Sequence, residues 1–140
     1  MILGAGIDMV EVARLQRSLD RFGERLLGRL FHPSEISHCC QRLNQAECLA
    51  GVFATKEAFL KALGTGLAQG VSWLDMEVFR EQGKPPHLRV RGRALEVVEE
   101  LGGKSFLVSI SHEAGLAVAM VLIQGSPRSF PDSRAELSRA

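Results

Sequence analysis

Three charged residues have the side-chain types that phosphoryl-transfer chemistry requires. Asp8 follows a short apolar segment dotted with glycines, and Glu57 and Lys61 lie four residues apart in a stretch predicted to be helical, so they share one face. Two carboxylates can hold Mg²⁺ while a lysine neutralises phosphate oxygens. Each residue also has an ordinary alternative: Asp8 is then a turn carboxylate, and Glu57 with Lys61 is a solvated ion pair.

The glycines before Asp8 superficially resemble a dinucleotide-binding fingerprint. Gly4 and Gly6 supply only two of its three glycines, and the second half of the chain lacks an alternating strand–helix pattern. The sequence therefore argues against that motif. Glycines in a strand also allow another backbone or a ligand to approach closely, which leaves a functional role for Asp8 open.

A second polar group lies at the end of a predicted strand, in the segment Ser109-Ile110-Ser111-His112. In a regular strand Ser111 and His112 point to opposite faces, so they make a poor nucleophile–base pair for hydrolysis. His112 can cap a turn or donate to a phosphate, and the serines can do the latter too. The segment is thus a candidate for phosphate binding.

Arginines recur at spacings of three and four between Val12 and Arg29. They are Arg14, Arg17, Arg21, Arg25 and Arg29, and with only Asp20 and Glu24 opposing them they give this stretch a local charge of +3. A charged helix face is often simply solvated. The alternative is a docking surface for an acidic helical partner.

The elements that position these residues are mainly helical in the first half of the chain. Apolar residues at helical spacing predict an amphipathic helix over Val12–Leu26, and Ser34 is a plausible cap for a second helix. Asn44 with Glu47 resembles a capping box that opens a third helix, which runs to about Leu63 and ends at glycines.

The second half predicts strands joined by turn-rich segments and one short helix. The predicted strands are Met1–Ile7, Met76–Phe79, His87–Val90, Phe106–Ile110 and Leu116–Ile123, and the short helix is Ala94–Leu101. These elements predict an α+β fold in which an antiparallel sheet packs with helices, and we expect the N-terminal strand to join that sheet.

Length and composition limit the class of protein. The chain has 140 residues, 46% of them hydrophobic and 24% charged, and a net charge of +1, which is typical of one globular domain and does not favour nucleic-acid binding. We predict a domain over residues 1–124 and a Ser-, Pro- and Arg-rich tail over residues 125–140.

The cysteines and the apolar runs indicate the compartment. Cys39, Cys40 and Cys48 are odd in number and include no Cys-x-x-Cys pair, which predicts free thiols in a reducing compartment. No apolar run is long enough to span a bilayer, and the first residues do not resemble a signal peptide. We therefore expect a cytoplasmic protein without a membrane segment.

Taken in order, these segments resemble the small phosphopantetheinyl transferases, the holo-[acyl-carrier-protein] synthase family. The matching pieces are Gly6-Ile7-Asp8, Phe53 to Lys61, Gly64-Thr65-Gly66, Asp75 to Val78, Gly83-Lys84-Pro85 and Ser109 to His112, spread over residues 1 to about 123. Each piece alone is a weak signal, whereas all of them in this order are specific.

The resemblance implies a 4′-phosphopantetheinyl transferase-like fold and a reaction. The family moves the 4′-phosphopantetheine group of coenzyme A to a serine of an apo acyl carrier protein, releases adenosine 3′,5′-bisphosphate and supports fatty acid biosynthesis. By this resemblance Asp8 and Glu57 would hold Mg²⁺, and Asp8, Glu57 and Lys61 would be catalytic. The serine proton would go to Glu57 or to a metal-bound water.

The resemblance also implies binding residues and an assembly. Coenzyme A would contact Lys61, Gly64, Gly66, Lys84, Pro85, Ser111 and His112. The acidic recognition helix of the carrier would dock on Arg14, Arg21 and Arg25. Family members are homotrimers with active sites between subunits, which suits motifs scattered from residue 8 to residue 112, so we expect a homotrimer.

Two other functions remain to be weighed. A non-catalytic module that binds coenzyme A or a carrier protein would keep the arginines but could lose the carboxylates, whereas this chain keeps Asp8, Glu57 and Lys61. A metal-dependent nucleotide hydrolase would fit the carboxylates but would leave the arginine-rich helix unexplained. The transferase accounts for both features.

Overall fold

The computed structural model describes residues 1–126, which form five strands, four α-helices and one 3₁₀ turn. In chain order these are β1 (Ile2–Glu11), α1 (Val12–Leu30), α2 (Pro33–Cys40), α3 (Gln45–Leu63), the 3₁₀ turn (Trp73–Asp75), β2 (Met76–Phe79), β3 (His87–Val90), α4 (Gly92–Leu101), β4 (Gly103–Glu113) and β5 (Leu116–Gly125). Most of the predicted tail lies outside the described residues, so the division into domain and tail stays a prediction.

The strands form two antiparallel sheets within the described part of the chain. In the larger sheet β5 lies between β1 and β4, while β2 pairs only with β3. The α+β prediction is confirmed, including the N-terminal strand that joins the sheet. β2 and β3 match their predicted bounds but form a separate hairpin.

Helix α3 covers one face of the larger sheet. Its Ala50, Ala54 and Ala58 are fully buried, and they face the inward side chains of β5, among them Ala119 and Val121, which are also fully buried. Small residues on both elements let the helix lie close to the sheet. The consequence is that residues of α3 and of β1 can meet over a short distance.

Two glycines bring β1 into direct contact with the backbone of α3. A Cβ atom at Gly6 would overlap the carbonyl oxygen of Ala58, and one at Gly4 would overlap that of Ala62. Alternate residues of a strand share a face, so Asp8 lies on the same side of β1 as these glycines. The glycines therefore determine how near Asp8 comes to α3.

We predict that Gly6→Ala destabilises the fold by about 3 kcal/mol, because the new methyl group meets backbone that has no room to move. Thermal unfolding measures the change. Gly28→Ala is the matched control, since an added Cβ there has nothing within 4 Å and alanine favours a helix, so its stability should stay equal or rise slightly. Equal stabilities of the two variants would contradict the close contact.

Helix α3 begins and ends where the sequence predicted, whereas the end of α1 and the cap of α2 differ from the prediction. The Asn44 side chain accepts a hydrogen bond from Glu47 N, and Gly64 ends α3 in the left-handed conformation. Helix α1 extends to Leu30 but is kinked at Gly23, whose φ is 62°. The cap of α2 is His32 rather than Ser34, because Pro33 occupies the first helical turn.

The prediction of three free thiols is wrong. Cys39 and Cys48 form a disulfide across nine residues of sequence, and Cys40 is free and exposed. The cause is spatial: Cys39 lies at the end of α2 and Cys48 at the start of α3, and the short connection brings these two helix ends together. Over residues 1–126, no helix is both long and apolar enough to cross a membrane.

Candidate active site

Asp8, Glu57 and Lys61 meet where β1 crosses α3. Lys61 Nζ donates to Asp8 Oδ1 at 2.9 Å and to the Ile7 carbonyl oxygen at 3.0 Å. Glu57 lies one helical turn before Lys61, on the same face of α3. The structure thus brings together the three residues that the sequence singled out as catalytic candidates.

The two carboxylates repel each other at this point. Partial burial raises the pKa of Glu57 above its usual value, the Asp8 carboxylate raises it further, and Lys61 opposes both effects. The hydrogen bond to Asp8, followed by its charge, raises the pKa of Lys61. Two facing carboxylates with only one exposed ammonium to offset them favour the approach of another cation.

The donor set fits Mg²⁺ rather than a closed structural metal site. Residues 1–126 contain no group of three or more His, Cys, Asp or Glu side chains that could hold a metal ion. Mg²⁺ usually keeps several waters and binds proteins through one or two carboxylates together with substrate phosphates. Asp8 and Glu57 are oxygen donors of that kind, and Lys61 beside them can neutralise phosphate.

A cavity of about 620 Å³ extends from the carboxylates to the arginine-rich helix. Asp8 and Glu57 line it together with Arg14 of α1. Its walls are mostly apolar and include Leu26 and Phe53. A partner that docks on α1 could therefore reach the carboxylates along one continuous surface.

His112 belongs to a second cavity, of about 510 Å³, which Glu47 and Pro86 also line. Its Nε2 lies 3.0 Å from the Glu47 carbonyl oxygen; a carbonyl only accepts, so Nε2 carries the proton. Gly51 makes room for the ring, since a Cβ there would be 2.9 Å from Nε2. As predicted, His112 and Ser111 have opposite orientations, with Ser111 on the open face of the sheet.

Three basic side chains that sequence reasoning did not single out line this second cavity: His38, Arg42 and Arg80. Burial lowers the pKa of His38, and the two guanidinium groups lower it further. Arg42 and Arg80 bring positive charge to this cavity, which Glu35 and Glu47 also line, and Phe79 contributes an apolar wall. The three basic residues belong to no recognisable motif, and Arg80 is distant in sequence from His38 and Arg42, so composition alone could not have found them.

Of the residues predicted to contact coenzyme A, only His112 lines either of these two cavities. Gly64 and Gly66 follow α3 just beyond Lys61, whereas Lys84 and Pro85 lie in the β2–β3 connection beside Pro86 of the second cavity. His112 lies against α3 at Glu47 and Gly51, which are ten and six residues before Glu57, or about 15 and 9 Å along the helix axis. One copy of the chain therefore carries Glu57 and His112 in two different cavities, which we call half-sites.

The residue before Glu57 in the sequence motif is a buried lysine. Lys56 and Glu35 are both fully buried, and Lys56 Nζ donates to Glu35 Oε1 and to the Leu30 carbonyl oxygen, each at 2.7 Å. Glu35 Oε2 accepts from Val78 N at 2.8 Å. Burial lowers the pKa of Lys56, and the Glu35 carboxylate opposes that shift. This ion pair joins α1, α2, α3 and β2.

We predict that Lys56→Met destabilises the protein by about 3–5 kcal/mol, because it leaves the Glu35 carboxylate buried without its charge partner. The double variant Glu35→Gln/Lys56→Met removes both charges and should recover part of that loss. Chemical unfolding of the wild type and of both variants gives the comparison. A double variant no more stable than Lys56→Met would show that the unpaired charge is not the cause.

Comparison with known proteins agrees with this geometry. A model of the 4′-phosphopantetheinyl transferase superfamily matches residues 4–120. The holo-[acyl-carrier-protein] synthase of Koribacter versatilis is 48% identical over 124 residues, which cover 89% of this chain and 99% of the relative. That of Trichlorobacter lovleyi is 49% identical over 124 residues, covering 89% and 98%.

A solved structure shows the same fold. The crystal structure of Helicobacter pylori holo-[acyl-carrier-protein] synthase in complex with coenzyme A aligns with a TM-score of 0.75 and 34% identity, over 86% of this chain and 99% of that chain. The family resemblance and the fold expected from the sequence are thereby confirmed. The chain belongs to the 4′-phosphopantetheinyl transferase superfamily.

Proposed function

We propose that the chain transfers the 4′-phosphopantetheine group of coenzyme A to a serine of an apo acyl carrier protein, with Mg²⁺, and releases adenosine 3′,5′-bisphosphate. The observation that carries the proposal is the meeting of Asp8, Glu57 and Lys61 in a chain whose relatives are named for this synthase activity. The proposal includes a role in fatty acid biosynthesis in the cytoplasm.

The chemistry is assigned to three side chains. Asp8 and Glu57 would hold Mg²⁺, which when bound neutralises charge on the pyrophosphate of coenzyme A. Lys61 donates to a phosphate oxygen as the carrier's serine oxygen attacks the β-phosphorus and adenosine 3′,5′-bisphosphate leaves. Of the two carboxylates, Asp8 accepts a hydrogen bond from Lys61, so we assign the serine proton to Glu57.

The second cavity is assigned to the nucleotide end of coenzyme A. Arg42 and Arg80 supply positive charge for its phosphates, and His112 presents a ring nitrogen at the cavity wall. Lys84 and Pro85 lie beside the cavity, while Lys61, Gly64 and Gly66 would contact the molecule from the first half-site. Because the half-sites of one copy are separated, two copies would have to combine them.

A homotrimer would bring the half-sites of neighbouring copies together. We propose the open face of the larger sheet as the surface through which the copies associate. Four large apolar side chains on this face are exposed: Ile7 (61%), Met9 (61%), Leu107 (52%) and Met120 (43%). Contiguous exposed apolar surface of this kind is typical of protein interfaces. Ser111 lies on the same face, which would place it at the subunit boundary near bound coenzyme A.

The docking surface for the carrier is assigned to α1. Arg14, Arg21 and Arg25 are exposed on this helix, and Phe22 beside them is 57% exposed, with the Arg21 guanidinium over its ring. Charges that attract an acidic helix around an exposed aromatic residue are a common arrangement for recognition. The cavity from Arg14 to Asp8 gives the carrier's serine a path to the carboxylates.

Mass spectrometry of a carrier protein tests the function directly. Apo carrier protein is incubated with the chain, coenzyme A and Mg²⁺, and we expect the carrier to gain one phosphopantetheine group on its serine. Loss of coenzyme A without that gain would indicate a hydrolase instead. Binding of coenzyme A or carrier without either reaction would indicate a non-catalytic module.

We predict that Met120→Lys converts the trimer to monomers and lowers transfer at least tenfold at low protein concentration, because it places a charge in the centre of the apolar face. Light scattering during gel filtration measures the assembly. Leu95→Lys is the matched control: Leu95 is 37% exposed on α4, away from this face. A Met120→Lys variant that stays trimeric would place the interface elsewhere.

A further inference from the structure

The disulfide lies at the wall of the second cavity, which His112, Arg42 and Arg80 line. Cys39 is in the last turn of α2 and Cys48 in the first turn of α3, and Cys48 itself lines the cavity. The connection between the two helices, residues 41–44, forms part of the same wall and includes Arg42. The bond therefore closes a short loop around one side of the cavity.

Few other contacts hold this connection. Its residues are all exposed, and its hydrogen bonds are local: Gln41 N and Arg42 N donate to carbonyls in the last turn of α2, and Asn44 caps α3. The disulfide is the covalent restraint that keeps the two helix ends at a fixed separation. The residue before Cys48, Glu47, is also the hydrogen-bond partner of His112.

We propose that the Cys39–Cys48 pair is a reversible oxidation site that sets the affinity of the cavity for the nucleotide end of coenzyme A. The proposal rests on the assignment of the cavity under the proposed function. In the disulfide form the connection is ordered and Arg42 is held at the cavity. In the dithiol form the connection has to become ordered when the nucleotide binds, which weakens binding.

The chemistry requires a dithiol reductant. A thiolate of the reductant attacks Cys48 Sγ, which is half-buried, whereas Cys39 is fully buried. Cys39 leaves as a thiolate and takes up a proton. The second thiol of the reductant then attacks its partner sulfur and releases Cys48 as a thiol. The protein gains two electrons and two protons, and the reductant becomes a disulfide.

The expected effect on binding is about tenfold, which is typical of ordering one or two long side chains. By thermodynamic linkage, binding of the nucleotide must in turn favour the disulfide. If the nucleotide binds the disulfide form ten times more tightly, it must shift the thiol–disulfide equilibrium toward the disulfide by the same factor. For a two-electron couple that shift corresponds to about 30 mV.

The probe is adenosine 3′,5′-bisphosphate, because coenzyme A carries a thiol that would react with the disulfide. Titration calorimetry compares oxidised Cys40→Ser protein, the same protein reduced with dithiothreitol, and Cys40→Ser/Cys48→Ser, which cannot form the bond. Cys40→Ser alone is the control: it removes an exposed thiol, its hydroxyl can still accept the hydrogen bond that Gln45 Nε2 donates to Cys40 Sγ, and it should leave affinity and transfer unchanged. Circular dichroism confirms that each form is folded.

The expected result is a dissociation constant about tenfold higher for the reduced and Cys48→Ser forms, with an equal shift of the thiol–disulfide equilibrium when the probe is present. Equal affinities of the oxidised and reduced forms overturn this proposal but leave the proposed function intact. A disulfide that fails to form in a glutathione buffer overturns it too. If the oxidised form does not bind the probe at all, the assignment of the cavity fails together with it.

Discussion

Glu57→Gln is expected to lower kcat for phosphopantetheine transfer by about three orders of magnitude, with the fold unchanged. The substitution keeps the size of the side chain but removes both its negative charge and its ability to take the serine proton. Loss of a group that acts on charge in the transition state commonly costs factors of a hundred to a thousand, and loss of proton transfer adds to this. The measurement is the initial rate of carrier modification at saturating coenzyme A and carrier.

Asp8→Asn separates the two roles assigned to the carboxylates. Asp8 would hold Mg²⁺ without taking a proton, so a high concentration of Mg²⁺ should restore part of the rate in Asp8→Asn and little of it in Glu57→Gln. Glu99→Gln is the matched control, because Glu99 is an exposed carboxylate on α4, distant in the fold from β1. Full activity of both Asp8→Asn and Glu57→Gln in Mg²⁺ would end the assignment of this site.

Features of the fold that depend on local sequence could be predicted from the sequence. Asn44 and Gly64 begin and end α3 as expected, because a side chain that accepts from Glu47 N and a residue that adopts a positive φ act within one turn of the helix. The bounds of β2 and β3 are equally local. The same reasoning placed Glu57 and Lys61 on one face of a helix.

Features that depend on how elements meet could not be predicted in this way. A lysine between Thr55 and Glu57 in a charged motif suggests a surface position, yet Lys56 is fully buried because Glu35 arrives from α2 to pair with it. The pairing of Cys39 with Cys48 depends on the turn between two helices. Spacing alone cannot show either contact, since both partners are set by tertiary packing.

The predicted site residues His112 and Glu57 line two different cavities, and this division matters most for function. His112 lies against Glu47 and Gly51 of α3, ten and six residues before Glu57, or about 15 and 9 Å along the helix axis. In the proposed homotrimer, neighbouring copies would bring the two half-sites together. This assembly would make catalysis depend on the open face of the sheet, where Ser111, a predicted coenzyme A contact, also lies.

The double variant Arg14→Glu/Arg21→Glu is expected to raise KM for the carrier by about two orders of magnitude with little change in kcat. Charges at the edge of an interface act mainly on the approach of the partner, and reversing two of them replaces attraction to an acidic helix by repulsion. Arg14 and Arg21 are exposed on α1, so their replacement should not disturb the core. Steady-state kinetics with varied carrier concentration gives the result.

The dependence of kcat/KM on salt concentration is the second measurement. A control variant with the same change of net charge shows whether the effect is specific to Arg14 and Arg21. Wild-type kcat/KM for the carrier should fall as ionic strength rises, since the Debye length is about 8 Å at physiological salt, whereas that of the double variant should stay constant or rise. Arg29→Glu/Lys104→Glu alters net charge equally but replaces exposed residues outside the assigned docking surface, so it should retain most of the wild-type KM. If both double variants raise KM alike, general charge rather than docking on Arg14 and Arg21 attracts the carrier.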